Sequence, residues 1–275
     1  MVDIGFLGSL SPYTIRAIIA IFLLAINAAL SGSFTVFKDV SFLVAGAAHA
    51  ALAGAALAIV LDVYGVISFN PLIGGIAFAA LTALAAGYSS RKGSKEQVNT
   101  SIGIAFAMSM SLAVLFISLI REQAARVWGL LFGDLLLLTN QDIALMASIT
   151  VLLIIFSILF YREFIFVSFD MEGAMAYGIK AQYFNYLILL LIAVSSVVIL
   201  KGVGAILVFA MLVAPAAAAN EIARGVMRII FLSFFIALLS GFTGILLSFF
   251  FPVSPGAVAA LIATSLYFFI TLMKR

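Results

Sequence analysis

His49 is the only histidine in the chain, and no cysteine accompanies it. It stands in AGAAHAALAGAALA, residues 45–58, where almost every other side chain is small. Neutral imidazole is the commonest protein ligand for transition metals. An ionisable residue within so apolar a run is a functional hypothesis in its own right. The same spacing has a second reading. Gly46, Ala50 and Gly54 recur every four residues and share one helical face. Small residues of this kind let helix backbones approach closely in a bilayer. His49 is then a buried, hydrogen-bonded packing residue. One imidazole alone is not a metal site, so spacing leaves both readings open.

Three further segments hold groups of interest. In VGAILVFAMLVAPAAAA, residues 203–219, Pro215 lies inside an apolar run. Proline kinks a helix and frees a carbonyl that neighbours must satisfy. That oxygen faces a pathway, or the kink is only a bend. Met211, four residues earlier on the same face, is a soft potential ligand and equally a core filler. In SFDMEGAMAYGIKAQ, residues 168–182, Asp170 is placed to cap a short helix. Glu172 falls in its first turn and Gly178 is placed to end it. The segment is too polar to span, yet exceeds the roughly 2–8 residues of ordinary bundle connections. It reads as a connecting helix and as a natural handle for a cytoplasmic partner. In WGLLFGDLLLLTNQD, residues 128–142, Trp128 suits a membrane interface. This stretch is an interfacial or re-entrant helix, or a plain connector.

Several chemistries are excluded. There is no H-E-x-x-H, and no acid neighbours the lone histidine, so neither metalloprotease nor serine-hydrolase chemistry assembles. No Walker A sequence is present, so the chain is not expected to be an ATPase or to bind a cofactor of its own. Any ATP must be hydrolysed by a partner.

The elements that position these groups follow from composition. Of 275 residues, 66% are hydrophobic and 9% charged. A soluble domain carries about 25% charged residues to wet its surface. Lipid must cover this one. A helix needs about 20 apolar residues to cross. Candidate spans are 13–33, 41–61, 71–89, 99–120, 142–160, 184–200, 203–219, 228–250 and 256–272. Only LKGVG separates the sixth from the seventh, so nine spans with a tight turn are expected, or eight with one broken element. The reading is an all-α polytopic bundle, one domain over residues 1–275, with residues 168–182 as a cytoplasmic segment.

Orientation follows from short-loop Lys and Arg. With the N-terminus outside, Lys38, Arg91, Lys92, Lys95, Arg162, Lys180, Arg224, Arg228, Lys274 and Arg275 face the cytoplasm. Arg16, Arg121, Arg126 and Lys201 face outward. The bias predicts N-out, C-in and an odd span count in the cell membrane. The net charge of +3 reflects this placement and not a nucleic-acid partner. Asp3 occupies the place of a basic signal-peptide region, so no cleaved signal is expected. The 11 Asp and Glu residues fall at span ends or in loops. A midplane carboxylate and an internal repeat, which a secondary transporter would often show, are not evident.

Five stretches in order resemble the permease subunits of zinc, manganese and iron ABC importers. They are KDVSFLVAGAAHAALAGAALA (38–58), NTSIGIAFAMSMSLAVLF (99–116), LLFGDLL (130–136), FDMEGAMAYGI (169–179) and VGAILVFAMLVAPAAAA (203–219). The resemblance implies a fold like that of the cobalamin and siderophore importers, which are the rival substrate classes. It implies a second copy of the chain, two cytoplasmic ATPase subunits and an extracytoplasmic metal-binding protein. Phe169, Asp170, Glu172, Ala176 and Gly178 would belong to the helix that couples to the ATPase. His49 would match the pathway histidine, with Gly46, Gly54 and Pro215 beside the path and Met211 as a further metal candidate. Two departures stand out. Many members carry Asp where this chain has Ala45, and Asp where it has Pro252. Selectivity then rests on the binding protein, or on two His49 side chains facing each other across a dimer axis.

Overall fold

A computed structural model describes residues 12–90, 95–120 and 124–274. The charges at Asp3, Arg91, Lys92, Arg121, Glu122 and Arg275 lie outside the described residues. Nine helical segments among the described residues are long and apolar enough to cross a membrane. They follow the nine expected spans in order. The first runs as α1 (Pro12–Asn27), a π-helical turn (Ala28–Gly32) and α2 (Ser33–Phe37). Next come α3 (Phe42–Val63), α4 (Pro71–Ser89) and α5 (Lys95–Leu119). A short α6 (Ala124–Phe132) and a 3-10 turn (Leu135–Leu137) lead to α7 (Asn140–Leu159). Two short helices, α8 (Tyr161–Phe169) and α9 (Met171–Ala176), precede the last four spans. These are α10 (Ala181–Val203), α11 (Ala205–Ile222), α12 (Val226–Phe250) and α13 (Pro255–Met273).

Local chemistry explains several starts. Pro71 opens α4 after Asn70, whose side chain accepts from the Leu72 amide at 2.9 Å. Proline is tolerated there because the first helical N–H has no intrahelical partner. Thr139 and Asp142 form a reciprocal capping box at the start of α7. The question left by LKGVG is settled at Gly204, the single residue between α10 and α11, with φ +90°. Only glycine adopts that backbone without strain. Two spans therefore replace one broken helix, and the turn is one residue long.

Two features have no counterpart in the sequence reading. α8 continues almost directly from α7, across residues 161–167 to which the spacing assigned no element. The π-helical turn in the first span disturbs the regular ladder, and Ser233 of α12 donates to the Ala28 carbonyl there at 3.2 Å.

The core is built around α3 and α10, whose apolar stretches are 83% and 72% buried. α3 packs on α4, α5, α10 and α11. The corresponding figure for α5 is only 17%, with Ile104, Met108, Val114 and Leu115 exposed. A helix this apolar and this open needs lipid or another apolar surface over it. Successive crossings sort the helix ends onto two faces. One carries Lys38, α8, α9 and Arg224; the other carries Asp62, α6 and Lys201.

Candidate transport pathway and coupling segment

His49 lies seven residues into α3, roughly 10 Å from the Phe42 end at 1.5 Å per residue. Between Phe42 and Ala56 only Phe42, Ala45 and His49 escape full burial. They sit at helical spacing and form one open stripe on the most buried span. The His49 Nδ1 is 2.9 Å from the Ala45 carbonyl oxygen. A carbonyl only accepts, so this bond needs a hydrogen on Nδ1 and leaves Nε2 as the ring nitrogen that could meet a metal. Phe106 of α5 packs edge-on against the ring, with centroids 4.8 Å apart. Ala45 is the position where a carboxylate was absent; its backbone oxygen orients the imidazole, as an acceptor on the second nitrogen does for metal-bound histidines.

The other small residues of α3 face elsewhere. Gly54 and Gly74 meet backbone to backbone, so a Cβ on either would overlap the other's carbonyl. Gly46 faces Ile102 and Thr82, at 3.0 and 3.6 Å from where its Cβ would lie. These glycines set the α3–α4–α5 packing and lie off the His49 stripe. Pro215 is buried in α11, and Gly32 of the π-helical turn abuts the adjacent Leu212 carbonyl so closely that no Cβ fits. Met211 is 1% exposed in the central core and is not on the open stripe.

At the opposite end of the chemistry, Asp170 caps α9 by accepting from the Gly173 amide at 2.8 Å. Glu172 lies in the first turn, and Gly178 follows with φ +81°. Ala174 is fully buried, and Phe169 packs on Phe37 with centroids 5.3 Å apart. The helix is thus fixed to the body, while Glu172, Met175, Ala176 and Tyr177 project. Tyr177 is 82% exposed.

A cavity of about 450 Å³ lies beside this segment, lined by Lys38, Ser90, Ser168, Phe169 and Asn185 among others. Asn185 donates to Ser90 Oγ at 2.7 Å, and Lys38 Nζ reaches the Val167 carbonyl at 3.4 Å. Burial lowers the Lys38 amine from 10.5 to about 8. The unfolded chain therefore binds more protons than the folded one between pH 8 and 10.5. Folding stability rises with pH across that window and carries the full penalty below it. Lys38→Met is expected to stabilise the chain at pH 7 by up to about 3 kcal/mol, with the gain fading by pH 10. Thermal unfolding of both proteins in detergent across this range checks it; a pH-independent difference would contradict the argument.

The α6 face holds a clamp that spacing did not reveal. Lys201 Nζ pairs with Asp142 Oδ1 at 2.7 Å, and Asp142 Oδ2 accepts from the Thr139 hydroxyl at 2.6 Å. The Asp134 amide donates to the Lys201 carbonyl at 3.2 Å. Gly133 and Gly204 touch through their backbones, leaving no room for a side chain on either. Residues 128–142 thus return onto the α10–α11 link. Asp62, Asn70 and Lys201 line a cavity of about 250 Å³ on this face.

The family model described as the ABC 3 transport family matches residues 11–274. The chain belongs to this family. ABC 3 relatives match along nearly the full length. The manganese transport system membrane protein MntC of Listeria monocytogenes is 31% identical, covering 96% of this chain and 92% of that one. The manganese import system permease protein ScaB of Streptococcus gordonii is 28% identical, covering 94% and 92%. Among solved structures, PsaBC from Streptococcus pneumoniae in complex with Fab superposes with a TM-score of 0.82 at 26% identity, covering 97% of this chain and 92% of that one. The all-helical architecture with nine candidate spans among the described residues is therefore that of an ABC importer permease, a multi-pass membrane protein.

Proposed function

We propose that this chain is the membrane-spanning permease of an ABC importer that passes a divalent transition-metal cation into the cytoplasm, with manganese the first candidate. The observation that carries the proposal is the full-length likeness to membrane proteins named for manganese import. The geometry supports it with an imidazole on the open stripe of α3 whose Nδ1 is taken up by the Ala45 carbonyl, leaving Nε2 as the nitrogen for a metal. That stripe adjoins α5, the least buried span, so a second copy packing over α5 would bring two His49 side chains together. The excess of Lys and Arg on the α9 face makes that face cytoplasmic, with the N-terminus outside and the C-terminus inside. α9 then meets an ATPase subunit, since the sequence carries no Walker A motif of its own. The α6 face receives an extracytoplasmic metal-binding protein.

The test is co-expression with the cognate ATPase. Tyr177→Asp places a charge on the exposed end of α9 and is expected to cut co-purified ATPase and ATP-driven manganese uptake by at least about tenfold. The folded chain should survive, because Tyr177 is 82% exposed and its one ring contact among the described residues is with Phe166, at 5.7 Å between centroids. Manganese movement by the purified chain alone, driven by a proton gradient, would defeat the proposal.

A further inference from the structure

On the α9 face, an open groove of about 660 Å³ runs over the α11–α12 hairpin. Ile222, Ala223, Met227, Ile230, Phe231 and Leu232 give it apolar walls, and Arg228 is its charged residue. Phe231 is 66% exposed and stacks edge-on with Phe235 at 4.7 Å between centroids, extending the apolar surface along α12. Arg228 is the third residue of α12, so it sits roughly 3 Å from the helix start, while Phe231 and Phe235 lie about one and two turns deeper. Both α11 and α12 are long and apolar enough to span. The arginine is therefore at headgroup level and the rings at acyl-chain level.

The charge balance at this corner is one-sided. Arg224, in the link before α12, and Arg228 are both exposed, and neither has an ion-pair or hydrogen-bond partner among the described residues. The neighbouring acid, Glu221, is already taken: Lys274 Nζ is 3.0 Å from its carboxylate and donates to its backbone oxygen at 2.6 Å. One unpaired guanidinium, that of Arg228, thus lines an apolar groove, and a second, that of Arg224, is carried one residue beyond the groove-lining Ala223. A guanidinium matches a phosphate in shape and charge.

We propose that this groove is a binding site for an anionic phospholipid, its headgroup held by Arg224 and Arg228 and one acyl chain lying over Met227, Phe231 and Phe235. Basic pockets at the ends of membrane helices select acidic lipids over zwitterionic ones in this way. The site depends on α11 and α12 spanning the bilayer and not on the transported cation.

The test uses the full chain in nanodiscs of equal phosphatidylglycerol and phosphatidylcholine. After release into mild detergent, native mass spectrometry reads the lipid that stays bound. The wild type is expected to retain phosphatidylglycerol over phosphatidylcholine by roughly thirtyfold, the order expected for two arginines acting on one net charge. The Arg224→Gln, Arg228→Gln double variant should bring the ratio near one. Met227→Trp, which fills the groove and keeps both charges, should release the lipid as well. Arg162→Gln, at the same face but outside the groove, should change nothing. Equal retention of both lipids by the wild type, or an unchanged ratio in the double variant, would overturn the proposal. So would loss of the preference once the ATPase subunit is added, since that would assign the groove to the protein partner.

Discussion

If the chain passes manganese as proposed, His49→Ala is expected to cut ATP-driven uptake by at least about a hundredfold while the chain stays folded. Loss of a group that only orients a metal ligand already costs about 10–100-fold, and in the proposed pathway His49 is the ligand itself. Stability is expected to change little, because the side chain contributes one hydrogen bond to its own helix and one ring contact with Phe106. Together these amount to about 1–3 kcal/mol at most. Uptake into proteoliposomes containing the ATPase subunit, set beside the melting temperature of the purified chain, separates the two effects. Uptake that survives with a lowered melting temperature would make His49 a packing residue, the second reading its small neighbours allowed.

The opposite pattern is expected at Gly54. Gly54→Val prevents recovery of folded protein, whatever the substrate. α3 and α4 cross with Gly54 against the Gly74 carbonyl, and a backbone cannot rotate away as a side chain can. Three extra carbons must push two core helices apart, which exceeds the usual 1–3 kcal/mol of overpacking. Lipid offers no hydrophobic drive to hold separated helices together, so close approach is the main attraction here. Gly46→Ala is the informative contrast. Its new methyl would meet Cγ2 of Ile102 at 3.0 Å, the movable end of a side chain. It should fold with a modest loss. Gly129→Ala, with no heavy atom within 4 Å of its Cβ site, should be neutral. Size-exclusion profiles and melting temperatures of the three variants rank them; a well-folded Gly54→Val would refute the packing argument.

The spans were legible because each is a long apolar run ended by charge, proline or glycine. Asp170, Glu172 and Gly178 marked the ends of α9 for the same reason: capping is a local rule. Non-local relations were not legible. Lys201 and Asp142 are 59 positions apart, and nothing in either neighbourhood signals the other. The π-helical turn answers to Ser233, more than two hundred residues away. The stripe of small residues around His49 was read as one feature. The structure divides it into a buried face carrying Gly46 and Gly54 and an open one carrying Ala45 and His49. Periodicity identifies faces but not which of them a neighbour covers. The substitution at Ala45 looked like a lost metal ligand, since a one-letter code does not display the backbone oxygen that every residue carries.

The one-residue link at Gly204 has a mechanical consequence. Adjacent Cα atoms are about 3.8 Å apart, so the ends of α10 and α11 cannot separate at that link. The backbone contact with Gly133 and the Lys201 pair pin the same point from outside. Any change in the spacing of the two helices is therefore confined to the opposite face, at Ala181 and Ile222, where their neighbours and not the link set it. α9 stands at that end of α10, a 23-residue rod of about 34 Å. A small push there has the longest lever arm the hairpin offers.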